Sequence, residues 1–91
     1  MSVQVSRNPS VDFAPMKNES VLFQPKTNQF CLLNVTSTFL WTQLDQPRSI
    51  SELADRLSQC FDSVTVTDAL RDVEKLVEEL RSLEYLVSSA V

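Results

Sequence analysis

Histidine and glycine are both missing from this 91-residue chain. Without histidine it lacks the commonest general base and the usual partner of a serine or cysteine nucleophile. Without glycine no loop lets backbone N–H groups close tightly on a phosphate or dinucleotide, because that approach depends on residues with no Cβ. Cysteine is scarce: Cys31 and Cys60 have no metal-ligand spacing between them and read as two buried reduced thiols. No catalytic residue, metal ligand or cofactor site is therefore assigned, and an enzyme is not expected.

A long apolar run is also lacking. Nothing approaches the about 18 uninterrupted apolar residues of a membrane span, and no basic segment leads into an apolar one as in a secretion signal. The expectation is a cytoplasmic protein with no membrane partner. What is present is 43% apolar residues, enough for one modest core and too few residues for a second domain. Net charge is −4 and unevenly spread: residues 1–50 carry four basic and three acidic side chains, residues 51–91 four basic and nine acidic. The acidic half would not draw nucleic acid.

The period of the apolar residues changes within Gln29–Trp41, and the rest of the chain is organised around that change. Gln29 to Leu33 reads as a strand; beyond it Leu40, Trp41 and Leu44 stand one and four apart, on one helix face. Asn34 at the join can accept from N–H groups of the first helical turn. Upstream, Met1–Ser10 is polar and reads as a flexible terminus, leaving residues 11–87 as the domain. Val11–Ala14 is a short edge strand stopped at Pro15, and Ser20–Gln24 is a stronger strand ended by Pro25. Residues 25–28 form the turn of a hairpin whose returning strand is Gln29–Leu33.

That returning strand places Phe30 and Leu32 on one face and Cys31 and Leu33 on the other, so both faces are apolar. Its sequence neighbour covers one edge. The other edge is either closed by further structure or open to a peptide that adds as a strand.

Three helices follow. The first spans roughly Val35 to Gln43 and buries Leu40 and Leu44 with Trp41, read as a core anchor. Ser49–Ile50–Ser51–Glu52 is a capping box that starts the second, whose Ile50, Leu53, Ala54 and Leu57 form a buried stripe. Thr65 or Thr67 caps the third and longest, running to about Ser82. Its apolar residues from Val66 to Leu83 span roughly 140° of arc, wider than the ~100° of an ordinary surface helix, so one face can serve two neighbours. Arg71–Glu74, Lys75–Glu79 and Glu78–Arg81 are expected as weak pairs on its polar side. Tyr85–Val87 closes the chain as an extended segment or a last packed turn.

Three short strands and then three helices make an α+β, winged helix-turn-helix pattern. Residues 19–87 resemble the PqqD family, whose domain is also called the RiPP precursor recognition element. The resemblance rests on Leu33–Asn34–Val35–Thr36–Ser37 with Leu40–Trp41 and Leu44–Asp45, on Arg48 through Ala54, on Phe61–Asp62, and on Asp72–Val73 through Leu80. It implies a non-catalytic domain that binds the leader of a ribosomally made precursor peptide and presents it to a modifying enzyme, often a radical-SAM protein. The leader would lie beside Gln29, Phe30, Cys31, Leu32 and Leu33, in a groove lined by Val73, Val77 and one margin of the third helix, either Leu70 or Leu76. The family usually carries glycine after the Leu44–Asp45 pair and near the end of the third helix, where this chain has Gln46 and, approximately, Glu84.

Two other readings compete. A DNA-binding winged-helix regulator would present Asp68 to Arg81 to the major groove, yet that stretch holds five acidic and three basic residues. An accessory adaptor of an enzyme complex could use the same strand edge without reading a precursor.

Overall fold

Residues 3–61 and 63–90 are described by a computed structural model. In chain order the elements are strands β1 (Val3–Arg7), β2 (Asp12–Met16), β3 (Glu19–Gln24) and β4 (Gln29–Leu33), helix α1 (Val35–Gln43), strand β5 (Arg48–Ser49), helices α2 (Ile50–Cys60) and α3 (Val66–Ser82), and strand β6 (Leu86–Ala90). Strands β2, β3 and β4 form an antiparallel sheet in that order, and three helices follow it, which is the fold class the sequence indicates. A second sheet, ordered β5-β1-β6, joins the two ends of the chain.

That second sheet is a departure from the sequence reading. Residues 3–7, within the stretch expected to be flexible, form β1, and β1 pairs with β5 on one side and along its whole length with β6 on the other. Val5 is 2% exposed and belongs to the core. The segment has little apolar content of its own and becomes a strand because a partner about eighty residues away supplies the ladder. Met1 and Ser2 of that stretch, and Asp62 of the Phe61–Asp62 pair, lie outside the described residues.

Local chemistry sets the helix boundaries. The Asn34 side chain accepts from Ser37 N at 2.8 Å and opens α1 directly after β4. Ser49 and Glu52 complete the capping box of α2, each bonding the other's backbone N–H at 3.2 Å. Of the two candidate caps for α3, Thr65 is the one used, accepting from Asp68 N. Arg48 is 7% exposed; its guanidinium donates to the Gln43 carbonyl and pairs with Asp45 and Glu52, fastening the α1–α2 connection.

Among the described residues of this chain without glycine, three take up left-handed backbone: Lys17 in the β2–β3 turn, Asn28 at the end of the β3–β4 turn, and Glu84 (φ 63°) after α3. At Glu84 the bonds are those of a Schellman cap: Tyr85 N donates to the Leu80 carbonyl and Glu84 N to that of Arg81. Glu84 is approximately the second of the two places where the resemblance leads us to expect glycine. Gln46, the other such place, has no left-handed backbone. Glu84 is held by neighbours instead: its carbonyl accepts from the Asn8 and Gln24 side chains, and its carboxylate pairs with Lys26 at 2.9 Å.

Leu22, Leu33, Leu40, Trp41, Leu53, Leu57, Val73, Leu80 and Tyr85 form the centre of the core. Trp41 links the two sheets. Its ring stacks near Phe13 of β2, and the Arg7 guanidinium of β1 donates to its carbonyl and lies 5.5 Å from the ring centroid.

Candidate functional site

β4 is the outer strand of its sheet: β3 bonds one edge, and among the described residues no strand pairs with the other. An unpaired edge presents a row of N–H and C=O groups that accept an added strand. Alternation divides its side chains. Cys31 and Leu33 point inward, opposite Leu22 and Ser20 of β3, whereas Phe30 and Leu32 point outward, opposite Phe23 and Val21. Leu33 is 2% exposed, but Phe30 is 72% exposed and Leu32 67%, the two most exposed of the large apolar residues among those described. The Phe30 ring leans on Phe23, with centroids 4.8 Å apart.

Beside this free edge runs α3, and a groove lies between them. One hollow, of about 270 Å³, is lined by Cys31, Leu32 and Leu33 on the strand side and by Leu76, Glu79 and Leu80 on the helix side. A second, of about 340 Å³, continues it past the start of α1, where Asn34 and Ser37 face Asp72, Lys75, Leu76 and Glu79. The floor is apolar and the helix wall carries charge. Burial pushes the Cys31 thiol above its ordinary range, and the nearby Glu79 carboxylate adds to the effect. The thiol therefore remains a neutral part of the floor near neutral pH. The far end of the strand is steadied by Tyr85, whose hydroxyl donates to the Gln29 carbonyl at 3.3 Å.

The residues singled out from the sequence separate into three sets. Gln29 to Leu33 form the open-edged strand, with Cys31, Leu32 and Leu33 at the groove. Of the two margins left open for the third helix, Leu76 lines the groove, while Leu70 packs against the core and lines neither hollow. Val73 and Val77 do not reach it: Val73 is fully buried and Val77, 6% exposed, faces a cleft on the opposite side of α3 with Val5 and Ile50. The wide apolar arc of α3 does serve two neighbours. Its centre goes to the core, however, and only its Leu76–Leu80 margin to the groove.

Sequence reading passed over Glu79, Asn34 and Ser37 as groove residues. Of the three pairs expected on α3, Glu78–Arg81 forms, Arg71 pairs with Asp68 rather than Glu74, and neither Lys75 nor Glu79 is in any of the ion pairs among the described residues. Both cysteines were read as buried; Cys31 is partly so and Cys60 is exposed. No group of three or more His, Cys, Asp or Glu able to hold a metal occurs among the described residues, and no described helix is long and apolar enough to cross a membrane.

Residues 19–86 match the family described as Coenzyme PQQ synthesis protein D (PqqD). The fold is similar to that of TbiB1 in complex with the TbiA(beta) leader peptide, with a TM-score of 0.83 and 22% identity over 94% of this chain and 99% of that one. It is similar also to a lasso peptide synthetase B1 complexed with the leader peptide, with a TM-score of 0.78 and 25% identity over 91% of this chain and 96% of that one. No curated protein sequence matches the chain.

Proposed function

The chain belongs to the PqqD family, and from that membership we propose that it binds the leader segment of a ribosomally made precursor peptide by strand addition to β4 and presents it to a modifying enzyme. The observation that carries the reading is the edge of β4, unpaired among the described residues, beside the groove against α3 with its floor of Cys31, Leu33, Leu76 and Leu80. The similarity to a lasso peptide synthetase B1 complexed with its leader peptide supports it. The protein itself performs no chemistry in this reading. Its enzyme partner, such as a radical-SAM protein, acts on the presented precursor, and both meet it in the cytoplasm, where ribosomal peptides are made.

Binding follows from the geometry of the edge. Main-chain hydrogen bonds from the free N–H and C=O groups of β4 set the leader's register. Successive leader side chains then alternate, one entering the groove over Cys31, Leu33, Leu76 and Leu80, the next lying outside against Phe30 and Leu32. Apolar character on both faces of β4 suits this, because a leader strand brings side chains to both.

Titration calorimetry with the synthetic leader of a candidate precursor peptide tests the reading. Leu76→Asp puts an unpaired carboxylate at the groove wall, where a bound leader would desolvate it, and is expected to weaken binding more than tenfold while circular dichroism stays native. Arg71→Ala, on the other side of α3, is expected to leave affinity unchanged. A proline scan of the leader should weaken binding at every second position of the docked segment, because alternate N–H groups face the protein. A leader indifferent to proline throughout and to a folded Leu76→Asp variant would remove the strand-addition mechanism.

A further inference from the structure

We propose that the segment docked in this groove carries a basic side chain facing Glu79 and Glu19, and that this charge contact selects among peptides able to add as strands. The inference rests on the strand-addition reading and adds to it the chemistry of the occupant. Four charged residues line the two hollows: Glu19, Asp72, Lys75 and Glu79. Lys75 offsets one acid, leaving the equivalent of two uncompensated carboxylates over an apolar floor. None of the three acids takes part in an ion pair among the described residues, and Lys75, one helical turn from both Asp72 and Glu79, bridges neither.

Position makes these acids more than ordinary surface. Glu79 lies on the same wall as Leu76 and Leu80, and Glu19, the first residue of β3, stands beyond the last residue of β4, so these two acidic residues both border the hollow floored by Cys31 and Leu33. A lysine or arginine of an added strand can lay its aliphatic stem on that floor and its charged head between the carboxylates. A glutamate or aspartate at the same place meets like charge as the groove loses water. Exposed pairs contribute little to stability, but across an interface complementary charge suppresses wrong partners and speeds encounter. The overall charge of −4, concentrated in the second half of the chain, acts in the same direction.

The test is selection of a displayed library of random peptides against the full chain, against Glu79→Lys and against Glu19→Lys/Glu79→Lys. These residues are exposed, so the variants should fold, and circular dichroism checks that they do. The most enriched peptides are then synthesised and titrated with a proline scan. We expect enrichment of lysine or arginine at one position of the wild-type binders and a switch to aspartate or glutamate there with the double variant. Exchanging lysine for glutamate at that position should cost wild-type affinity about tenfold at low salt and less at high salt. Peptides weakened by alternate prolines but with no basic preference would overturn this inference and leave strand addition standing. A basic preference unchanged in the double variant would overturn the assignment to these two residues. Failure to enrich any peptide, or binders indifferent to proline at every position, would overturn strand addition and this inference together.

Discussion

Strands β4 and β6 are both five-residue outer strands of three-stranded antiparallel sheets, yet they differ in what flanks their edges. β4 reads QFCLL, with Phe30 and Leu32 largely exposed on one face and, on the other, a groove against α3 whose lining mixes apolar and polar residues. β6 reads LVSSA: Leu86 is buried and Val87 and Ser88 are exposed, and none of the three hollows described above is lined by Leu86, Val87 or Ser88. The difference is that only β4 offers a partner large exposed apolar side chains and a groove as well as an open edge. Backbone groups provide register at either strand, but side-chain selection needs apolar surface that a partner can cover.

The frame that holds both edges should be broken most severely at Trp41, which touches β2 through Phe13 and β1 through Arg7. Trp41→Ala is expected to cost about 3–5 kcal/mol of stability, read by denaturant unfolding. Retained stability with lost peptide binding would make Trp41 part of the recognition surface instead.

A direct comparison of the two edges comes next. Phe30→Ser and Leu32→Ser on β4 are each expected to reduce leader affinity about tenfold, or about 1.4 kcal/mol, whereas Val87→Ser on β6 should leave it unchanged. All three residues are exposed, so melting temperatures should move little. Equal losses at both edges in calorimetry would erase the distinction drawn between them.

Glu84 lies just before β6 and shapes how the second sheet begins. Glu84→Gly removes the left-handed penalty at the α3 cap and is expected to stabilise by about 0.5–1 kcal/mol. Loss of the exposed Lys26 pair offsets part of that gain. A lower midpoint in denaturant would mean that the carboxylate contact outweighs backbone strain.

The smallest effect is expected at alkaline pH. Burial raises the Cys31 thiol above its ordinary 9.0, and burial, followed by the neighbouring thiol, raises the Tyr85 phenol above its ordinary 10.0. In both cases the unfolded chain loses its proton first. Their contribution is therefore fully present below the ordinary values and is lost as pH rises through the raised folded ones. Melting temperature should fall above about pH 9, and less steeply in Cys31→Val, as thermal melts followed by circular dichroism can check.

Much of this molecule follows from short-range sequence alone. Asn34, the Ser49–Glu52 box and Thr65 fix helix starts because each satisfies N–H groups within three residues of itself, and the β3–β4 hairpin closes across four residues. Alternation along Gln29–Leu33 likewise marked both of its faces as apolar, which is why the candidate site was legible at all.

Tertiary structure alone decided the rest. β1 and β6 form a ladder that spans nearly the whole chain; the extended alternative for Tyr85–Val87 is the one β6 takes, whereas the stretch that holds β1 reads as a flexible terminus. Helical periodicity gave the width of the α3 stripe but not which part meets the core; packing of α3 against α2 and β6 put Val73 in the core and left Leu76 and Glu79 along the groove beside β4. An apolar period records that a face is covered, whereas what covers it is set by elements distant in sequence.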